Sequence, residues 1–149
     1  MSRVIVLDSG PLGALCATRS TPTAQACERW LEELLAKGER LAIPEIVDYE
    51  LRRELLRLRK RKSVARLDRL ALQLEYWPPT TGAMRRAAEF WAAARQQGQP
   101  TAGDNTIDAD MILAGQVADS GERDCIVATT NPTHLSRFVS AELWQNIAP

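Results

Sequence analysis

The chain has 149 residues, of which 45% are hydrophobic and 26% charged, as is ordinary for a globular domain with its own core. Nineteen basic residues balance 19 acidic ones, so no excess of positive charge marks the whole chain for nucleic acid. Three widely spaced cysteines and one histidine argue against a zinc site and a disulfide framework, and the N-terminal apolar run is too short for a signal peptide or a membrane span. We therefore expect one cytoplasmic domain over residues 1–149, without membrane contact.

Short apolar runs bounded by turn residues predict the strands of a buried sheet. They are Val4–Leu7, 41–43 and Cys125–Thr129, with a brief strand near Tyr76 and Trp77 and a small edge strand at 138–139. Apolar side chains at helical spacing predict helices over about 12–16, 24–36, 46–74, 80–95 and 107–117, with a break at 60–63 and a loop over 96–105. Strands that alternate with helices favour an α/β fold with a mostly parallel central sheet.

Two of the predicted helices carry a tryptophan that the spacing assigns to the core. Trp30 recurs with the apolar residues of the 24–36 helix, and Trp91 with those of the 80–95 helix. The inward positions of the 80–95 helix are Met84, Ala87, Ala88, Trp91 and Ala94. Since both rings are expected to pack inside, we predict no base-stacking platform from the tryptophans.

Acidic and polar residues stand where predicted strands end or helices begin. Because the carboxyl ends of parallel strands meet at one edge of a sheet, where ligands bind, we expect these residues to lie close together. In chain order they are Asp8; Glu45, Asp48 and Glu50; Asp104, Asp108 and Asp110; and the uncharged group Thr129, Thr130 and Asn131.

Clustered carboxylates are unfavourable when empty, since a pair about 4 Å apart costs roughly 1 to 4 kcal/mol. A divalent cation reverses this, and a set of oxygen ligands without cysteine or histidine selects Mg²⁺ or Mn²⁺. A water molecule held by such an ion can act as the nucleophile in phosphodiester hydrolysis. The acidic groups therefore suggest a metal-dependent phosphodiesterase.

Most of these acids also have a structural interpretation. Asp8 is a competent N-cap, Glu45 and Asp48 suit a helix N-terminus, and Asp104 and Asp108 suit caps or Asx turns. Two acids stand out against this background. Asp110 enters the apolar run 111–114 without an evident cationic neighbour, and Glu50 precedes Leu51 on a helix that must pack. The strongest functional candidates are therefore Asp8, Glu50 and Asp110.

Four stretches, VIVLDSGPLGAL, AIPEIVDYELRREL, DADMILAGQVA and IVATTNPTHL, resemble in order the motifs of the PIN-domain family, in the group that includes the VapC ribonuclease toxins. The resemblance implies a three-layer α/β/α fold and a Mg²⁺- or Mn²⁺-dependent endoribonuclease that cleaves RNA. It assigns metal binding and catalysis to Asp8, Glu50 and Asp110, offers Asp108 as an extra metal ligand, and gives Asn131 the fourth catalytic position.

The same resemblance implies an antitoxin partner and a homodimer. One departure from the family pattern matters, because the fourth catalytic position holds Asn131 and not Asp. It favours a second interpretation, in which the chain is a PIN-fold RNA-binding or interaction protein with weak or no catalysis.

Basic residues concentrate in one segment, with nine of the 19 lying between Arg52 and Arg69. Such a face attracts a phosphate backbone, although a solvated helix surface or a docking site for an acidic or amphipathic partner explains it as well. The residues predicted to contact RNA are Arg52, Arg53, Arg57, Arg59, Lys60, Arg61 and Lys62.

Other enzyme classes fit the motifs poorly. A haloacid-dehalogenase-type phosphatase needs a D-x-D pair after the first strand, where this chain has Asp8-Ser9-Gly10. No G-x-G-x-x-G follows that strand, which argues against dinucleotide binding. The lone His134 lies in a polar turn without a nucleophile motif, so a serine or cysteine hydrolase is not indicated.

Overall fold

The computed structural model describes residues 3–97 and 104–149, except for the side chains of 104–107. Within these ranges one sheet contains the strands β1 Val4–Leu7, β2 Arg40–Pro44, β3 Glu75–Trp77, β4 Cys125–Thr129 and β5 Ala141–Leu143. Their order is β3-β2-β1-β4-β5, and every neighbouring pair is parallel. The predicted mostly parallel sheet is thus confirmed.

The helices cover the sheet on two sides. In the described part of the chain they are α1 Ser9–Cys16, α2 Pro22–Ala36, α3 Glu45–Arg57, α4 Arg61–Gln73, α5 Thr81–Gln96 and α6 Asp104–Asp119. From β1 through β2 to β3 the strands are added towards one edge of the sheet, and from β3 to β4 the chain crosses back towards the other edge. Because crossovers between parallel strands are right-handed, α1–α4 cover one face of the sheet and α5 and α6 cover the other. The predicted three-layer α/β/α architecture follows from this arrangement.

The central strand β1 explains why the sheet forms where it does. All four of its side chains are fully buried, since helices cover both faces and β2 and β4 pair with both edges. Such a strand requires an uninterrupted apolar run, which is what the sequence VIVL provides. The outer strands β3 and β5 have only three residues each, which limits the exposed edge of the sheet.

The C-terminal end of the chain is tied to the core through a predicted core tryptophan. Trp30 is buried, packs edge to face against Trp144 with ring centroids 5.5 Å apart, and donates a hydrogen bond of 2.9 Å from Nε1 to the carbonyl oxygen of Ile147.

No helix in the described ranges has the length and apolarity to cross a membrane.

Three predicted boundaries are wrong. The break between α3 and α4 falls at Leu58–Lys60 rather than 60–63, and Arg59 there adopts a left-handed conformation with φ of 57°. The edge strand lies at Ala141–Leu143 instead of 138–139, because Phe138 packs against Phe90 of α5 with ring centroids 5.0 Å apart. The predicted loop ends earlier than expected, since α6 begins at Asp104, and residues 98–103 lie outside the described residues.

The inward face of α5 also differs from the prediction. Met84 and Trp91 are 45% and 40% exposed and Ala88 is exposed, whereas Ala87 and Ala94 are buried. The reason is the close approach of α6. A Cβ added at Gly115 of α6 would lie 2.3 Å from the carbonyl oxygen of Ala83 on α5, so only small side chains fit between the two helices.

We expect Gly115→Ala to destabilise the protein by about 1 to 3 kcal/mol, because the added methyl group collides with the α5 backbone. Gly13→Ala is the matched control, since its Cβ would meet Leu51 at an ordinary 3.6 Å. Removal of a helical glycine at that position should stabilise by roughly 0.5 to 1 kcal/mol. Urea denaturation measures both, and a Gly115→Ala protein as stable as Gly13→Ala would contradict the close packing.

Candidate active site

A cleft opens at the carboxyl edge of the sheet, between the ends of β1 and β4. These two neighbouring strands flank the point at which the order of the sheet reverses direction. Such a switch point is where open α/β sheets bind ligands. The cleft has a volume of about 510 Å³ and is open to solvent, and its walls include Asp8, Glu50, Asp110 and Asn131.

Asp8 is held rigidly at the end of β1. Its Oδ1 accepts a hydrogen bond of 2.8 Å from the backbone N–H of Ser9, and its Oδ2 accepts one of 2.7 Å from the hydroxyl of Thr129, the last residue of β4. Asp8 is therefore both the N-cap of α1 and a wall of the cleft. The capping interpretation and the functional one are compatible.

Glu50 and Asp110 reach the same cleft from α3 and α6. Burial raises the pKa of Glu50, and the nearby charge of Asp8 adds to the effect, while a hydrogen bond from the Ser9 side chain and the charge of Arg53 oppose it. Burial also raises the pKa of Asp110 to about 7, with further contributions from Asp8 and Glu50. The three carboxylates therefore interact through mutual repulsion, as expected for a site that favours a cation.

The loop after β4 forms the outer wall of the cleft. The side chain of Asn131 is exposed there, and its backbone N–H donates a hydrogen bond of 3.1 Å to Thr129 Oγ1. The start of α1 lies close to this loop, since a Cβ added at Gly10 would fall 2.4 Å from Cγ2 of Thr130. Glycine at this position lets the loop approach Asp8.

The remaining predicted metal ligand lies elsewhere. Asp108 is exposed and lines an adjoining cleft rather than the one that contains Asp8 and Asp110. Two residues apart on an α-helix, the side chains of Asp108 and Asp110 point about 200° apart. Among the described side chains, which are those of residues 3–97 and 108–149, no group of three or more acidic, histidine or cysteine residues is arranged to hold a metal ion directly.

Asp48 and Glu45 of the second acidic group do not line the cleft that contains Asp8. Asp48 is only 4% exposed and pairs through both carboxylate oxygens with Arg52, at 2.8 and 3.2 Å. The same guanidinium bonds Asp68 of α4 at 2.8 Å, so Arg52 joins α3 to α4. Glu45 lies in the first turn of α3, where the positive end of the helix dipole stabilises a carboxylate. The side chain of Asp104 lies outside the described part of the chain.

The basic residues predicted to contact RNA fall on different surfaces. Arg53 lines both the candidate active-site cleft and the adjoining one, and Arg57 lines the adjoining one. By contrast, the residues at the α3–α4 turn border a separate depression of about 340 Å³, together with buried Leu55 and exposed Leu56. The basic members of that group are Arg59, Lys60 and Arg61, and Lys62 follows them on the exposed first turn of α4.

Sequence reasoning missed the hydrogen-bonding roles of Ser9 and Thr129 and the position of Tyr49. Tyr49 is 57% exposed in the adjoining cleft, and the Arg53 guanidinium lies 5.2 Å from the centroid of its ring. The signal was present, because an aromatic residue four positions before an arginine forms such a pair on a helix surface.

Comparison with known proteins identifies the family. Residues 5–137 match the PIN domain model, so the chain belongs to the PIN-domain family. No curated protein matches the chain significantly.

Solved structures with a similar fold cover nearly the whole chain. They include DNA-bound VapBC from Salmonella typhimurium, with TM-score 0.71, 21% identity and coverage of 97% of this chain and 99% of that one. FitAcB from Neisseria gonorrhoeae has TM-score 0.70, 18% identity and coverage of 96% and 99%. VapBC2 from Rickettsia felis, bound to a DNA fragment from its promoter, has TM-score 0.68, 19% identity and coverage of 95% and 98%. At these identities the similarity establishes the fold.

Proposed function

We propose that residues 1–149 form one PIN domain that acts as a Mg²⁺- or Mn²⁺-dependent endoribonuclease, with Asp8, Glu50 and Asp110 as metal ligands. The observation that carries the proposal is the convergence of three mutually repelling carboxylates on one cleft at the switch point of the sheet. The proposed centre leaves out Asp108, whose exposed side chain lines the adjoining cleft.

The donor set fits a hard divalent cation. All three ligands are carboxylates, and burial together with the neighbouring acids raises the pKa values of Glu50 and Asp110, so a bound cation would stabilise ionised forms that the fold disfavours. Mg²⁺ keeps several of its waters and needs only one or two direct carboxylates, so a preformed cage of three ligands is not required. When bound, the ion activates a water and stabilises charge on a phosphate.

The other residues of the cleft have supporting roles in this proposal. The Ser9 N–H and the Thr129 hydroxyl fix both oxygens of Asp8, which preorganises the carboxylate. Asn131 offers an amide that orients water or RNA, and Arg53 attracts a phosphate to the mouth of the cleft.

We further propose that the protein is the cytoplasmic toxin of a toxin–antitoxin pair and that it forms a homodimer. The fold supports the antitoxin partner, because the similar structures are VapBC and FitAcB complexes. A partner surface is available at the α3–α4 turn, where Leu56 and Leu58 are exposed beside Arg59, Lys60 and Arg61. Their charge suits an acidic, amphipathic partner.

An RNA-binding protein without catalysis is the second candidate. It is favoured by the neutral Asn131 at the fourth position and by the absence, in the described ranges, of a ready-made group of metal-holding side chains.

Incubation of the purified protein with labelled single-stranded RNA separates the two candidates. We expect cleavage with Mn²⁺, none in EDTA, and recovery when Mn²⁺ is restored, because the carboxylates need the cation. Single-stranded DNA of the same sequence should remain uncut. RNA that is bound but left intact in the presence of Mg²⁺ or Mn²⁺ would contradict the nuclease proposal and favour the second candidate.

A further inference from the structure

A second cleft continues the candidate active-site cleft along α3. It has a volume of about 680 Å³ and shares Glu50, Arg53 and Glu54 with the first one. One wall is the α3 face that carries Tyr49, and the opposite wall is α6 at Asp108, Ala109 and Ile112. The two clefts therefore adjoin and together form one groove along α3.

Tyr49 is the aromatic side chain of this second cleft. More than half of its surface is exposed, although a tyrosine of this size usually buries most of its ring. Arg53 lies over the ring and holds it in a cation–π contact, with the guanidinium carbon 5.2 Å from the centroid. An ordered, accessible ring beside a cationic plane is the arrangement on which unpaired bases stack.

Arg57 lies one turn further along the same face of α3. It pairs with Glu54, but both side chains are largely exposed. Such exposed ion pairs contribute little to stability, so a phosphate can replace Glu54 as the partner of the Arg57 guanidinium.

Two other basic residues of the segment, Arg52 and Arg61, have different surroundings. Arg52 is bound by Asp48 and Asp68, and Arg61 borders the separate depression at the α3–α4 turn.

We propose that the second cleft is a nucleotide subsite for single-stranded RNA, in which an unpaired base stacks on Tyr49 while Arg53 and Arg57 bind the adjacent phosphates. The subsite rests on the proposed ribonuclease function and adds which side chains of this chain bind a base and the adjacent phosphates. A duplex cannot offer a free base face to the ring, so base-paired RNA is excluded from the groove.

The test is binding of a short, labelled single-stranded oligoribonucleotide, measured by fluorescence anisotropy. The parent protein carries Asp110→Asn so that RNA is not consumed. We expect Tyr49→Ala to weaken binding about tenfold, as loss of one base–aromatic stack does, and Tyr49→Phe to retain it. An abasic ribose-phosphate strand should bind the parent and Tyr49→Ala equally.

Trp91→Ala is the matched control, because Trp91 is also an exposed ring under an arginine, Arg95 at 5.0 Å, on a helix outside the groove. It should bind RNA like the parent. Arg57→Gln should lower the slope of affinity against salt by about one counterion. Arg123→Gln should not, because Arg123 is exposed just before β4, at the end of the sheet away from the cleft.

Two results would overturn the inference in distinguishable ways. If the Tyr49→Ala variant binds RNA as tightly as the parent, the subsite is removed and the nuclease proposal remains intact. A parent that binds no RNA, together with a wild-type protein that does not cleave RNA in the presence of Mn²⁺, overturns both.

Discussion

Asp8→Asn is expected to lower Mn²⁺-dependent RNA cleavage by at least about 100-fold while the protein stays folded. The change removes the negative charge at the carboxyl end of β1, where the proposed ion binds. The fold survives because asparagine caps helices as well as aspartate does, and its Oδ1 can keep the hydrogen bond from the Ser9 N–H. The Thr129 hydroxyl can rotate to accept from the new amide.

Asp124→Asn is the control for this loss of activity. Asp124 is an exposed acid just before β4, at the end of the sheet away from the cleft, so its substitution should leave cleavage unchanged. Cleavage rates on labelled RNA measure the effect, and circular dichroism checks the fold. Wild-type rates in the Asp8→Asn protein would remove Asp8 from the reaction.

Asp110→Asn is expected to raise the free energy of unfolding of the metal-free protein at about pH 8 by 1 kcal/mol or more, since one unit of pKa shift corresponds to roughly 1.4 kcal/mol before solvent screening. The fold raises the pKa of Asp110 from 3.8 to about 7, so it disfavours the ionised carboxylate. The penalty is present in full above about pH 7 and disappears as the pH falls towards 4. The neutral asparagine never incurs it.

Urea denaturation in EDTA across this pH range measures the difference between the two proteins. The stability advantage of Asp110→Asn should shrink as the pH falls from about 8 to 5, because the wild-type carboxyl becomes protonated. Mn²⁺ should reverse the order, since it stabilises only a folded state that binds it. An advantage independent of pH would show that neither burial nor the neighbouring carboxylates disfavour the ionised form of Asp110 in the folded protein.

The strands were predictable because each needs only a local pattern. A strand buried on both faces is a continuous apolar run, which identified Val4–Leu7 and Cys125–Thr129 with the bounds that the structure has. The edge strand β5 has no such run, and its half-buried side chains do not distinguish it from a loop. The contact between Phe138 and Phe90 joins distant parts of the chain, so no local pattern reveals it.

The same distinction applies to the helix faces. Periodicity assumes that large apolar side chains point inward, as Trp30 does. On α5 this assumption fails, because Gly115 lets α6 lie so close that only small side chains fit between the two helices. The large side chain of Trp91 is therefore exposed. Which helix will lie against which, and how closely, is a tertiary property.

At the candidate site, the parallel sheet made the grouping of Asp8, Glu50 and Asp110 predictable from their positions at strand ends and on helices. The contacts that surround these three acids were not predictable from the sequence. The Asp48–Arg52–Asp68 pairing, which commits an arginine predicted to bind RNA, depends on how α3 meets α4. The position of Tyr49 beside the cleft depends on how α3 meets α6.

Calorimetric titration with Mn²⁺, of the wild-type protein beside Asp8→Asn, Asp110→Asn and Asp124→Asn, tests the metal centre most directly. We expect the wild type and Asp124→Asn to bind the ion and both cleft variants to lose binding, which would assign the two acids to one shared site. Binding of Mn²⁺ by the cleft variants with wild-type affinity, or no binding by the wild type itself, would contradict a metal centre formed by Asp8, Glu50 and Asp110.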